Sequence, residues 1–241
     1  MSPTMDEATT QSTLRTGRPL DDRGDPTDAP VLELDPDGRA AALLSGSSGP
    51  LVSSPGAGTW ATLLERPDDG ETDRPVLLQW LGPDAAEPPP HVHPVTETFE
   101  AVEGPLTLTV EGSTRQLTPG ERVTVDAGRE HGFGNDTDDV VAFRAELPSM
   151  RTVETLYSVW GLDHEGAFGD DGAYGRPGPL HALLLSAYAY DETVTTALPL
   201  SVQKALWATV GRLARRLGYR AVDERFLADA FWTARVEQPD M

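Results

Sequence analysis

Between residues 58 and 148 the chain alternates short apolar runs with turn residues. VLLQW at 76–80, TFEAV at 98–102, LTLTV at 106–110, RVTV at 122–125 and VVAFRAEL at 140–147 are the β-prone runs. Within one of them Leu106, Leu108 and Val110 alternate with Thr107 and Thr109, a period of two that leaves one face to be buried. Glu111-Gly112 suits a hairpin turn, and Pro119-Gly120 suits a type II turn whose glycine takes the positive φ. Short strands that reverse every few residues predict an all-β sandwich or barrel over 58–148.

The flanks follow other patterns. Residues 1–30 are polar, acidic and proline-bearing, with too little apolar surface to offset the entropy of ordering, and are expected to form a mobile tail. Residues 31–57 mix short apolar pieces with SGSSGP and SSPGAG, a barrel-edge or linker segment with a strand or two. Residues 149–179 are expected to form a Gly/Asp-rich loop. Helical spacing dominates 180–237. Leu180 to Tyr190 follows Pro179. Val202, Ala205, Leu206, Thr209, Val210, Leu213 and Leu217 share one stripe that ends at Gly218. Phe226, Leu227, Ala230, Phe231 and Ala234 share another. Two or three C-terminal α-helices are therefore expected after the barrel. No internal repeat suggests a second barrel.

Charge narrows the class. Thirty-nine Asp and Glu against nineteen Lys and Arg leave a net charge of -20, with Lys204 the single lysine. Such a surface repels phosphate backbones, so nucleic acid is not an expected partner. Dense carboxylates with one lysine suggest a halophilic protein, because the Debye length falls to ~3 Å at about 1 M salt and screens self-repulsion. Without cysteine, disulfides, thiolate metal sites and cysteine nucleophiles are excluded together. The N-terminal residues lack the run of about 7 to 15 apolar residues of a signal peptide, and nothing approaches the ~20 of a membrane span, so the expected location is cytoplasmic.

The chemistry gathers in PPPHVHPVTETFEAVEG. His91, His93 and Glu97 have equal parity, which on an extended strand means a shared face, and two of the five histidines sit in one His-X-His pair. His131, after RVTV and the turn DAGREH, is the candidate fourth ligand. His164 and His181 read as ordinary surface or packing residues. Phe99 and Phe133 share parity with Glu97 and His131, which points both rings inward, either as core or as contacts for an apolar substrate.

These residues resemble the cupin superfamily. His91, His93, Glu97 and Gly104 fit its first motif, and Gly120, Gly128, His131 and Asn135 its second, with Asp126 standing where the family usually has proline. Asp also favours turns, so the departure is mild. The resemblance implies a cupin double-stranded β-helix (jelly-roll) barrel. Inside it a divalent metal ion, Fe, Mn, Ni, Co, Cu or Zn, would be held by His91, His93, Glu97 and His131. Gly104, Gly128 and Asn135 are read as structural.

Two functions are compatible with that resemblance. One is a metal-dependent enzyme on a small organic molecule, similar to quercetin dioxygenase, in which Glu97 also takes a proton. The alternative is a non-catalytic module that binds or senses a metal or ligand. A homodimer is the default assembly. Lys204, Arg212, Arg215, Arg216 and Arg220, with no acid from Ser201 to Arg220, form a local charge of +5. With Trp207 they read either as a helix docked by its apolar stripe on the barrel or a partner subunit, or as a membrane-surface segment. Membrane attachment is the less expected of these.

Overall fold

The computed structural model describes residues 13–67, 73–168 and 174–240. In chain order its elements are β1 (Leu14–Thr16), β2 (Leu32–Leu34), α1 (Arg39–Ser45), β3 (Val52–Ser54), β4 (Thr59–Glu65), β5 (Val76–Leu81), β6 (His91–Val92), β7 (Glu97–Glu103), β8 (Leu106–Val110), β9 (Ser113–Leu117), β10 (Arg122–Val125), β11 (His131–Gly134) and β12 (Val141–Glu146). There follow α2 (Met150–His164), α3 (Pro179–Ala189), β13 (Val194–Thr195), α4 (Leu200–Ala208), α5 (Val210–Arg216) and α6 (Asp229–Arg235).

Two antiparallel sheets build the cupin fold. One has the order β10-β7-β12-β5-β4-β3, the other β13-β6-β11-β8-β9. An apolar core lies between them, with Phe99, Phe143, Leu77, Leu106 and Leu108 all buried in it, while Trp80 is buried on the other face of β5 beside Trp60. The run at 76–81 is unbroken because β5 is buried along its whole length. α1 packs across β4, β5 and β7 through Ala40, Ala41 and Leu44, so the six-stranded sheet is covered on its second face too. The expected turns form as read: Glu111 and Gly112 both take positive φ (50° and 75°) between β8 and β9, and Gly120 takes 89°.

The flanks require three corrections. First, residues 13–20 are not a mobile tail. β1 pairs with β2, the Gly17 and Leu20 N–H groups donate to the Glu237 and Arg235 carbonyls (3.0 and 2.8 Å), and Arg18 grips the Glu237 carboxylate with two hydrogen bonds of 2.8 Å. Trp60 Nε1 donates to the Gly17 carbonyl at 2.9 Å. The two ends of the chain supply one another's partners, which offsets the ordering entropy. Residues 1–12 of the expected tail lie outside the described residues.

Second, 150–164 is a helix rather than loop. Ser149 caps it, its Oγ accepting from the Arg151 N–H at 3.0 Å. Its glycine serves packing: a Cβ on Gly161 would come within 2.2 Å of the Phe226 ring. Asp163 is fully buried and accepts from Ser54 Oγ, Gly56 N and Gly175 N at 2.9, 2.9 and 2.6 Å, which ties the helix end to β3.

Third, five α-helices rather than two or three follow the barrel among the described residues. The stripe expected over 201–217 is broken at Thr209 (φ -110°, ψ -77°), whose Oγ1 donates back to the Ala205 carbonyl at 2.7 Å. Nor is that stripe the docked face. Gln203, Trp207, Gly211 and Ala214 are buried, while Val202, Val210, Leu213 and Leu217 are exposed. In the last segment a 3-10 turn, Glu224–Leu227, precedes α6, and Phe226, Trp232 and Val236 rather than one helical stripe enter the core.

Candidate metal centre

The four candidate ligands converge. His91, on β6, is the register partner of His131 on β11, which sets their rings 4.6 Å apart. His93 follows two residues on, its carbonyl accepting from the Gly128 N–H of the second motif's turn at 2.7 Å. Glu97 arrives by a route that parity did not describe. The chain turns after His93, and Glu97 opens β7 in the other sheet, paired with Val125. Two imidazoles from one sheet, and a third just past the end of β6, thus meet a carboxylate from the other sheet, with one potential ligand atom from each residue all within 4.8 Å of one another.

All four side chains are buried, and their outer atoms fix which way the inner ones point. Nδ1 of His91 lies 2.9 Å from the Pro89 carbonyl, that of His131 2.9 Å from the Arg129 carbonyl, and that of His93 2.7 Å from the Glu192 carbonyl. A carbonyl only accepts, so each Nδ1 carries the proton and Nε2 faces the cluster. Thr193 Oγ1 adds a contact of 3.1 Å to His93 Nδ1. The segment Glu192–Thr193 precedes β13, which pairs with β6 at Val92 and His91, so the C-terminal extension forms one wall of the site.

Glu97 Oε2 lies 2.8 Å from His131 Nε2 and accepts from it when the ring, already protonated at Nδ1, is the imidazolium. Burial works to raise the Glu97 carboxyl, but contacts with His131 and His93 override it and hold it down to about 2. Burial also works against the His131 cation, yet the bond to Glu97 raises its pKa. His91 is pushed down to about 4, mainly by burial, and is neutral at pH 7. His93 Nε2 lies 3.1 Å from Glu97 Oε2 but makes no hydrogen bond, and is a buried polar atom without a partner.

A cation bound between the four residues would give that nitrogen its partner. Three imidazole nitrogens and one anionic oxygen, all turned inward, fit a divalent first-row transition ion and suit Mg or Ca poorly. Such an ion would be held by His91, His93, Glu97 and His131.

Phe99 is buried with its ring 5.9 Å from that of His131, and Phe133 and Phe143 extend the aromatic cluster at 5.6 and 6.2 Å from Phe99. Phe143 and Thr193 were not singled out from sequence. Phe143 carried a usable signal, an aromatic in a strand pattern, whereas Thr193 sits 100 residues from the ring it touches. His164 and His181 lie away from the cluster. The first bonds to Ser53 and the second packs edge-on against Tyr219. Asn135 is structural, its Nδ2 donating to the Leu81, Gly82 and Asp139 carbonyls at 3.0, 3.0 and 2.7 Å.

Two antiparallel sheets enclosing a buried His/His/Glu/His cluster fit the cupin fold. Residues 77–145 match the Cupin_2 family model, described as the cupin domain, and the chain carries a cupin domain there. Among solved structures it is similar to the polyketide cyclase RemF from Streptomyces resistomycificus, at 27% identity over 42% of this chain and 72% of that one, TM-score 0.35. It is also similar to the Cupin_2 domain of an XRE family transcriptional regulator from Enterobacter cloacae, at 25% identity over 36% of this chain and 93% of that one, TM-score 0.32. A Cupin 2 conserved barrel domain protein from Salinispora arenicola CNS-205 gives 21% identity over 37% and 74%, TM-score 0.32. Comparison with curated proteins finds no match.

Proposed function

We propose that the protein is a metal-dependent enzyme acting on a small organic molecule, dioxygenase-like, with a divalent first-row ion bound by His91, His93, Glu97 and His131. The observation that supports this is the convergence of three Nε2 atoms and one carboxylate oxygen in a buried cluster, one of the nitrogens having no hydrogen-bond partner. When bound, the ion supplies Lewis acidity and, if redox-active, electron transfer with dioxygen. The chain's own residues do the rest. Backbone carbonyls at Pro89, Arg129 and Glu192 orient the imidazoles, and the Phe99, Phe133 and Phe143 rings keep water from one side of the site. Glu97, with its pKa near 2, is a ligand first and accepts a proton only from a strongly acidic donor.

The test is to purify the protein without added metal, measure bound metals by elemental analysis, and follow oxygen uptake over flavonols, catechols and diketones. Stoichiometric iron, copper, nickel, cobalt or manganese with turnover supports the reading. Stoichiometric zinc without turnover replaces it with a binding or sensing module.

The same proposal has the protein working as a homodimer in a salt-rich cytoplasm. The net charge of -20 motivates the salt requirement, since self-repulsion is relieved by screening. A circular dichroism melting curve that is the same in about 20 mM and about 2 M KCl removes the salt requirement, and a monomer mass by light scattering removes the dimer.

A further inference from the structure

The α4–α5 segment departs from the rest of the surface in two ways. The first is charge. Ten arginines outside it make ion pairs with Asp or Glu. Among the described residues none of Lys204, Arg212, Arg215, Arg216 and Arg220 makes one, and no acidic residue lies between Ser201 and Arg220. The second is apolar exposure. Leu213 and Leu217 are 56% and 63% exposed, and Val202 and Val210 are exposed beside them. Val210 and Leu213 of α5 and its C-cap residue Leu217 fall at i, i+3 and i+7, one stripe, while Arg212 and Arg216 at i and i+4 flank it. The segment's inner side is already occupied, Trp207 Nε1 donating to Ser186 Oγ at 3.0 Å and Gln203 Nε2 to the Thr195 and Leu198 carbonyls.

We propose that this face docks on an anionic lipid surface, with Leu213, Leu217 and Val210 at the acyl boundary and the arginines on phosphate headgroups. Both features are needed to choose the occupant. A second copy seated by two-fold symmetry on the same face sets Arg212 and Arg216 against like charges, and one seated by its acidic side forms an open-ended contact. A nucleic acid duplex answers the charges but leaves the leucines in water. An anionic bilayer answers both, since long cationic side chains reach headgroups while apolar neighbours enter the boundary. No helix is long and apolar enough to cross a membrane, so the contact is a surface one. Elsewhere the chain's acidic surface opposes approach, which orients docking through this face.

The experiment is co-sedimentation of the full chain with vesicles of phosphatidylcholine alone or with phosphatidylglycerol added, at the lowest salt in which circular dichroism shows the chain folded. The proposal expects binding to the anionic vesicles well above the neutral ones. It expects loss by about tenfold or more in partition coefficient for R212Q/R216Q and for L213S/L217S, with circular dichroism unchanged in both. Equal sedimentation with both vesicle types overturns it, as does full binding by either double variant. It is also overturned if L213S/L217S converts a dimer to a monomer while the wild type ignores vesicles, which assigns the face to a second copy. Tighter binding to a DNA duplex than to vesicles overturns it as well.

Discussion

The barrel interior around His93 and the outer side of α4–α5 are built on opposite terms. At His93 the ring is buried and its Nδ1 is held by Glu192 and Thr193, so the imidazole has one orientation. On α5 the leucines face water and the arginines find no ion partner among the described residues. Yet the two regions are joined: Gln203 of α4 holds the Thr195 carbonyl of β13, and β13 is the strand laid beside β6. One C-terminal extension therefore has a half that completes the site and a half that the fold does not need. Hydrophobic pattern alone cannot separate these halves, because leucines occur in both.

The largest effect should come from cutting the extension where it enters the core. Trp232 is fully buried, stacks edge-on with Tyr157, and donates from Nε1 to the Phe226 carbonyl at 2.8 Å. Trp232→Ala is expected to cost about 3 to 5 kcal/mol in urea unfolding. A cost under about 1 kcal/mol would mean that the C-terminal helices fold apart from the barrel.

Next in size is the metal increment. At a hundred times its dissociation constant an ion adds about 2.7 kcal/mol to the folded state, or roughly 5 to 10 °C in melting temperature for this length. His91→Ala, His93→Ala or His131→Ala should remove most of that shift, measured by calorimetry with and without added Mn, Fe, Ni or Zn. His164→Ala and His181→Ala should retain it. Equal loss for all five variants would move the site elsewhere.

These first two tests also mark what was legible in the sequence. The convergence of His91, His93, Glu97 and His131 was readable because three of the chain's five histidines fall in two short motifs with fixed spacing, and the hairpin at Glu111-Gly112 because positive φ has few tolerant residues. Glu97 joins the cluster by a route the parity argument did not describe: strand parity does not carry through the turn after His93 that moves it to the opposite sheet. The ordering of the segment after β1 was illegible because Arg18 finds its partner, Glu237, 219 residues away. α2 was hidden by Gly161 and Asp163, which look like loop residues but serve contacts with Phe226, Ser54 and Gly56. Long-range partners leave no local trace in composition.

His164, at the end of α2 beside Ser53 and Trp232, offers a pH test. Burial, with a smaller push from Arg235, lowers its pKa from 6.5 to about 4, against the Ser53 hydrogen bond. The folded protein therefore refuses a proton that the unfolded chain accepts. The stability from the neutral ring is complete above about pH 6.5 and is lost as pH falls toward 4, on the order of 3 kcal/mol in all. Urea midpoints across that window should fall for the wild type and fall less for His164→Gln. His91 has the same direction and is present in both proteins, so the difference between the curves isolates His164.

Smaller still is the link between the regions. Thr193→Val keeps the shape but removes the hydroxyl 3.1 Å from His93 Nδ1, leaving the Glu192 carbonyl as sole acceptor. Loss of an outer partner of a ligating imidazole weakens metal binding by about 10- to 100-fold when it is the main one. For this secondary contact about threefold to tenfold is expected, by competition with a metal-chelating dye. No change would mean that the extension touches the site without tuning it.

The smallest expected effect closes the comparison. Leu213→Ser replaces an exposed leucine that buries little area and leaves no cavity, so the transfer and packing terms that make Trp232→Ala costly are both absent. Unfolding free energy should stay within about 0.5 kcal/mol of the wild type, and metal affinity should be unchanged. If instead the isolated chain loses more than about 1 kcal/mol, with a dependence on protein concentration, Leu213 is covered in solution by another copy. The outer half of the extension would then belong with the inner half, as a buried structural surface, and the contrast between the two regions would be one of assembly rather than of role.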